Sequence, residues 1–153
     1  MKLGAALSQR AKLAQRLNDL KGRIKANCLV QEGQQATEDP ALLISEYSIA
    51  SADFRDLVEK IALTNAATMV GERTLLALLQ DRESLIRMRN LYGTTADSAT
   101  PSSDRYRYMR SELAHTSTVD VAEMRRLEDS LNTQIAELDS LIQQTNWETD
   151  IPD

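Results

Sequence analysis

The sequence predicts an all-α fold with a minor β component, built from two antiparallel helical hairpins with coiled-coil-like seams. The first observation is compositional: 4% of the 153 residues are aromatic, and there are five glycines and three prolines. This composition favours long helices over a β-sandwich. The second observation is that apolar residues recur at spacings of three and four along most of the chain. The third is an internal similarity between the two halves.

Two segments, one in each half of the chain, resemble each other. Segments 39–68 and 120–149 both open on an aspartate and close on the string T-N-x-x-T, and seven of their thirty aligned positions are identical. A weaker match relates Leu79-Arg82-Leu85 to Leu7-Arg10-Leu13. Because such similarity is typical of repeat architectures, we expect a single domain of two repeat units, about 1–70 and about 71–153.

The first hairpin is predicted from two amphipathic stretches. Its first helix runs from about Lys2 to Ala26. Its second begins at Asp39-Pro40, where the aspartate caps free N–H groups and proline fits the first turn, and ends near Thr64-Asn65. The predicted seam residues are Leu3, Leu7, Leu13, Leu17, Leu20 and Ile24 in the first helix, and Leu43, Tyr47, Ala50, Phe54, Leu57 and Ile61 in the second.

The second hairpin is predicted in the same way. Its first helix starts at Thr74 and reaches Tyr92, and the composition of 93–103 indicates a mobile loop. Its last helix starts at the capping box Asp120-x-x-Glu123. The predicted seam residues are Leu75, Leu78, Leu79, Leu85 and Ile86, then Met124, Leu127, Leu131, Ile135, Leu138 and Ile142.

The connectors within the two hairpins are predicted to pair as short β-strands. One strand is Cys28–Gln31, with Cys28 as a small buried residue, and the other is Glu112–Thr118. With a single cysteine the chain forms no intramolecular disulfide, which favours a reducing, cytoplasmic setting. The longest apolar-to-neutral stretch is far short of the ~20 residues that a membrane-spanning helix needs.

Charge is distributed unevenly along the chain. Residues 1–31 carry a net charge of +6, residues 32–60 carry -5, and residues 120–153 carry -7, within a total of -5. The simplest arrangement is a basic first helix beside acidic ones. The acidic neighbours screen its field within ~8 Å, so nucleic-acid binding by this helix is not favoured.

Metal and catalytic sites are poorly supported by the sequence. A ferritin-like di-iron site needs two Glu-x-x-His strings, and this chain has one, Glu112 to His115, with its single histidine. A reactive pair of Cys28 and His115 is a weaker interpretation than a structural cysteine. Asp53 and Asp56, one turn apart, are attributed to a solvated helix face. No metal or cofactor is expected.

The strongest functional candidate is an arginine-tyrosine string after the predicted loop. Arginine binds phosphate through two donors and tyrosine stacks on bases, so the string could bind nucleic acid. Both residue types are also enriched at protein interfaces, and this second interpretation is favoured. The binding or interface candidates are Arg105, Tyr106, Arg107, Tyr108, Arg110, Glu112, Asn146 and Trp147.

Several strings together resemble the septicolysin-like family of small bacterial and phage proteins. They are Val30-Gln31-Glu32-Gly33, Asp39-Pro40, Thr64-Asn65-Ala66-Ala67-Thr68, Asp104-Arg105-Tyr106, Arg110-Ser111-Glu112, Ser117-Thr118-Val119-Asp120-Val121 and Asn146-Trp147-x-Thr149-Asp150. The resemblance covers nearly the whole chain. It implies a helical fold without an established activity, and it supplies no catalytic residues.

Function is predicted from architecture rather than from chemistry. Long, narrow hairpins bury little surface alone, so we expect a homo-oligomer and, as the leading hypothesis, a non-enzymatic self-assembling structural or interaction protein. The alternatives are a membrane-active lysin, as the septicolysin name implies, a nucleic-acid-binding helical module, and an enzyme with a composite site at a subunit interface.

Overall fold

The structure, a computed structural model, describes residues 1–100 and 116–152. Over these residues the chain forms four helices and one two-stranded sheet, which confirms the all-α prediction with a minor β component. The elements are α1 (Leu3–Asn27), α2 (Pro40–Ala67), β1 (Met69–Val70), β2 (Arg73–Thr74), α3 (Leu75–Ala99) and α4 (Val121–Glu148). The chain divides into two compact units, Met1–Leu76 with Gln143–Asp153, and Ala77–Ile142.

The first unit is built around the antiparallel hairpin of α1 and α2. Leu20, Leu43 and Ala50 are buried together. Around them pack the half-buried side chains of Leu17, Ile24 and Tyr47. The Asp39 carboxylate caps α2 by accepting a 2.8 Å hydrogen bond from the Ala41 amide, with Pro40 in the first turn. The predicted start of α2 is therefore confirmed. Its predicted seam is buried or half-buried throughout, and we call these residues the inner seam: Leu43, Tyr47, Ala50, Phe54, Leu57 and Ile61.

The second unit contains most of α3 and α4. Arg82, early in α3, is paired with Asp139, late in α4, whereas Asp97, late in α3, is paired with Arg125, early in α4. The two helices therefore run antiparallel. The Asp120 carboxylate caps α4 by accepting a 3.0 Å bond from the Glu123 amide.

The predicted loop at 93–103 is wrong for residues 93–99, because α3 continues to Ala99. Gly93 and Ala96 are buried, and a Cβ at Gly93 would lie 2.6 Å from a carboxylate oxygen of Glu128. The Glu128 side chain of α4 therefore lies directly against α3 at Gly93. Packing between helices thus overrides a local composition that is poor for a helix. Residues 101–103 lie outside the described residues.

The predicted β-pairing between the connectors is also wrong where it is described. Cys28–Gln31 forms no strand, Cys28 is exposed, and residues 116–118 of its predicted partner are not extended strand either. The β element is instead the local hairpin of β1 and β2, with Met69 opposite Thr74 and Val70 opposite Arg73. Gly71, with φ of 64°, makes the tight turn that two-residue hairpin loops require.

Two chain segments in the first unit share one backbone pattern. At the end of α2, the Thr68 amide donates to Thr64 and the Thr68 carbonyl accepts from Leu75, the first residue of α3. At the end of α4, the Thr149 amide donates to Thr145 and the Thr149 carbonyl accepts from Leu3, the first residue of α1. Leu3 and Leu75 are both fully buried. Each T-N-x-x-T string therefore ends one helix and binds the start of another.

Candidate functional site

A second line of side chains runs along α2, beside the seam that packs on α1. We call it the outer seam; its residues follow one another at spacings of four and three, and they are Leu42, Glu46, Ile49, Asp53, Asp56, Lys60 and Leu63. Its three large apolar side chains are exposed, by 65% at Leu42, 63% at Ile49 and 62% at Leu63. A helix with apolar residues on more than one side is typical of one that is covered on more than one side.

The centre of the outer seam borders a cleft of about 340 Å³ in the first unit. The cleft is lined by Met1, Gln9, Leu13, Asp53, Asp56, Leu57, Lys60, Ile151 and Pro152. Leu57 and Ile151 are buried and give it an apolar floor, whereas its rim is polar and charged. The cleft establishes that Gln9 and Leu13 of α1 face the same side of the hairpin as the outer seam.

A line of charged residues on α1 lies on this same side. Lys12 follows Gln9 by three positions and Arg16 follows Leu13 by three, so they belong to the same flank of the helix. We call the residues Lys12, Arg16, Asp19 and Arg23 the basic flank; all four are exposed. The hydrogen bond from Arg23 to Glu38 lowers the pKa of that carboxyl.

The charges at the centre of this surface are largely free of partners. Asp56 is paired with Arg55 at 2.7 Å within α2. Four other charged residues form no ion pair with any residue in 1–100 or 116–152; they are Asp53 and Lys60 of α2, and Lys12 and Arg16 of α1. The side of the hairpin therefore offers exposed apolar residues, unpaired carboxylate and unpaired cations next to one another. Such charges favour contact with a surface of complementary charge.

The ends of the described chain meet beside the cleft, in an arrangement that we call the terminal clasp. The Ile151 amide donates to the Met1 carbonyl at 2.8 Å. The Lys2 ammonium group bonds the Asp150 carboxylate at 2.8 Å. This hydrogen bond lowers the pKa of Asp150.

Trp147, a predicted interface residue, belongs to this clasp. Its indole covers Gly4 so closely that a Cβ there would lie 2.9 Å from the ring. The indole nevertheless keeps 60% of its surface exposed, and its neighbour Asn146 is half-buried. Trp147 therefore has a definite contact within the chain, and its predicted role between chains stays a prediction.

The other predicted site residues lie outside the described residues. They are Arg105, Tyr106, Arg107, Tyr108, Arg110 and Glu112, and their predicted interface role stays a prediction. His115 also lies outside. Within 1–100 and 116–152, no three side chains of the His, Cys, Asp or Glu type are grouped so that they could hold a metal ion. In the same ranges, no helix has the length and apolarity to cross a membrane.

Sequence reasoning missed the outer seam. Four of its seven positions are charged, so an apolar pattern does not reveal it, and Asp53 and Asp56 were attributed to a solvated face. The signal that could have found it is the heptad spacing from Leu42 to Ile49, which two further heptads extend to Leu63.

Comparison with known proteins finds a family and a structural relative, neither with an assigned function. Residues 10–151 match the model of a family described as a family of unknown function, DUF6847. The chain is also similar to a crystal structure described as that of a functionally unknown conserved protein from Corynebacterium diphtheriae. The identity is 34%, the TM-score is 0.91, and 99% of each chain is covered. No curated protein matches. The septicolysin-like resemblance stays a prediction.

Proposed function

The chain belongs to the DUF6847 family of unknown function, and on that premise we propose that it is a non-enzymatic protein that works by self-assembly. The observation that carries the proposal is the outer seam of α2. Three large apolar side chains in one heptad register, with Asp56 at the position between Ile49 and Leu63, are left exposed. The other seam of the same helix is already packed on α1. Covering these side chains with a partner surface would remove apolar area from water and so favour assembly.

The size of the apolar contribution supports an assembly that also depends on other contacts. Burying each of Leu42, Ile49 and Leu63 from its exposed state would contribute about 1 to 2 kcal/mol. Six such side chains in a dimer would contribute on the order of 6 to 12 kcal/mol. Association itself costs about 4 to 15 kcal/mol. The apolar residues alone therefore give weak association, and the neighbouring charges are expected to set its strength and specificity.

We also propose that the chain is an internal repeat, as the sequence similarity predicts. Leu3 and Leu75, which open α1 and α3, occupy equivalent places in the shared backbone pattern. The match of Leu7-Arg10-Leu13 to Leu79-Arg82-Leu85 has the same offset along the chain as Leu3 to Leu75. Thr68 and Thr149, by contrast, are separated by a longer stretch of sequence. The second repeat unit would thus have a longer stretch of sequence between its two helices than the first repeat unit has.

Oligomeric state is the property that tests the proposed function. We expect native mass spectrometry and light scattering at micromolar concentration to show a discrete oligomer. Leu63→Glu is expected to dissociate it, because a carboxylate then replaces an apolar contact. Ser48→Glu is the matched control, since Ser48 is exposed on the same helix but outside the outer seam.

Each outcome has a definite meaning for the proposal. Dissociation by Leu63→Glu together with a normal oligomer for Ser48→Glu supports assembly through the outer seam. A wild-type chain that stays monomeric at high micromolar concentration would remove the proposed function. A Leu63→Glu oligomer as stable as the wild type would remove the outer seam from it. Circular dichroism of every variant establishes that the helices are intact.

A further inference from the structure

We infer, on the basis of the self-assembly proposed above, that the surface covering the outer seam is the basic flank of a second copy. In this arrangement α1 of each copy packs antiparallel on α2 of the other, about a twofold axis parallel to the helices. The contact is isologous, so the same surface is used twice and the assembly closes as a dimer. The product is a four-helix bundle formed by two hairpins.

Charge is the first argument for this pairing. The centre of the outer seam carries Asp53 and Asp56, and the basic flank carries Lys12 and Arg16. Asp53 and Asp56 line the cleft together with Gln9 and Leu13 of α1. Lys12 and Arg16 each follow one of these two α1 residues by three positions, so we place them on the same side of the hairpin. A twofold axis parallel to the helices brings each cationic set onto the acidic set of the other copy. Charged residues beside a helical seam commonly determine partner and orientation in this way.

The level of these residues along the hairpin is the second argument. Leu20 packs among Leu43, Tyr47 and Ala50, which places it level with about residue 47 of α2. Both helices rise ~1.5 Å per residue in opposite directions. Lys12 is therefore level with about residue 55.

A twofold axis parallel to the helices preserves these levels in the second copy. Its Lys12 then lies beside Asp53 and Asp56, and its Arg16 lies beside Asp53. Its Asp19 is level with about residue 48, next to Ile49, and is the one acid of the basic flank. Each half of the interface therefore gains two favourable contacts, one from Lys12 and one from Arg16 to the carboxylates of the other copy. The one unfavourable placement is Asp19, whose carboxylate lies beside the apolar Ile49.

The competing twofold arrangement places like charges together. An axis perpendicular to the helices packs α2 on α2 and α1 on α1. Where that axis crosses the helices at the level of Asp53 and Asp56, these residues face the same residues of the other copy. Lys12 and Arg16, which are at nearly the same level, then do likewise. Like charges brought together across an interface disfavour that partner arrangement, so the two dimers are distinguished by electrostatics.

Cysteine cross-linking tests the geometry directly. In a Cys28→Ser background, a Lys12→Cys variant and an Asp53→Cys variant are prepared separately, mixed and oxidised. We expect a disulfide-linked heterodimer in the mixture and little cross-linking of either variant alone. Cross-linking of the Asp53→Cys variant to itself would overturn the arrangement, because only the perpendicular axis brings these residues together.

Charge reversal provides a second test with its own rescue. We expect Lys12→Glu with Arg16→Glu, and separately Asp53→Lys with Asp56→Lys, to weaken self-association by at least ~10-fold. A mixture of the two variants should restore a heterodimer, measured by native mass spectrometry. A wild-type oligomer that lacks both the mixed cross-link and this rescue would overturn the inferred pairing, yet the proposed function would stand. A monomeric wild type would overturn both.

Discussion

The two seams of α2 have the same helical spacing and opposite surroundings. Leu43 on the inner seam is 3% exposed and packs against α1, whereas its neighbour Leu42 on the outer seam is 65% exposed. The inner seam is almost wholly apolar, and the outer seam has apolar residues towards its ends and charges in its centre. Heptad spacing thus identifies two lines of side chains on α2. The apolar line packs on α1, whereas the line with charges at its centre stays largely exposed.

Truncation of a leucine on each seam is expected to have very different effects on stability. Leu43→Ala is expected to lower the free energy of unfolding by about 2 to 4 kcal/mol, because it removes buried methyl groups and leaves a cavity. Leu42→Ala is expected to change the stability of the isolated chain by less than about 0.5 kcal/mol. Denaturant titration at the lowest workable protein concentration measures both.

The same two variants separate folding from assembly. Leu42→Ala should weaken self-association without altering the helical signal, whereas Leu43→Ala should affect folding first. Equal losses of stability for the two variants, at a concentration where the chain is monomeric, would contradict the division into an inner and an outer seam.

The two glycines of α1 extend the comparison to the other helix. A Cβ at Gly4 would meet the Trp147 indole at 2.9 Å, so Gly4→Ala is expected to destabilise the chain by about 1 to 3 kcal/mol. A Cβ at Gly22 would meet nothing within 4 Å. Gly22→Ala is therefore expected to stabilise the helix by about 0.5 to 1 kcal/mol. Thermal unfolding measures the direction of both changes. If the two variants were both stabilised or both destabilised, this explanation of the two glycines would be contradicted.

The smallest expected effect concerns the charged contacts at the surface. The hydrogen bond from Lys2 lowers the pKa of Asp150 from its ordinary value of 3.8. A carboxyl whose pKa is lower in the folded state stabilises that state above its ordinary pKa. This contribution is lost as the pH falls through the lowered value. Asp150→Asn should therefore reduce the loss of stability below about pH 4, measured as the urea midpoint.

An exposed aspartate elsewhere provides the control for this experiment. Asp129 makes no ion pair with any residue in the described ranges. Asp129→Asn should therefore leave the acid dependence close to that of the wild type. If the two variants changed the acid dependence of stability equally, the net charge of the chain, rather than the contact of Asp150 with Lys2, would be responsible for it.

Local signals in the sequence predicted most of the fold. Asp39 and Asp120 cap the helices they were expected to cap, because a cap depends on residues within one turn. The composition of 93–99 favours a loop, and the proximity of Gly93 to Glu128, a residue distant in sequence, cannot be derived from that local composition. The contact of Trp147 with Gly4 was missed for the same reason. The outer seam was missed because the charged residues at its centre interrupt the apolar pattern that would identify a seam.

The terminal clasp has a consequence for the order in which the chain folds. The bonded groups of Leu3 and Thr149 lie near opposite ends of the sequence, so closing this loop costs about 4 kcal/mol of chain entropy. Contacts between helices that follow each other in sequence form sooner, because they close shorter loops. We therefore expect the clasp to close last and to open first. Since Trp147 is the single tryptophan and lies in the clasp, its fluorescence would follow this late step apart from helix formation.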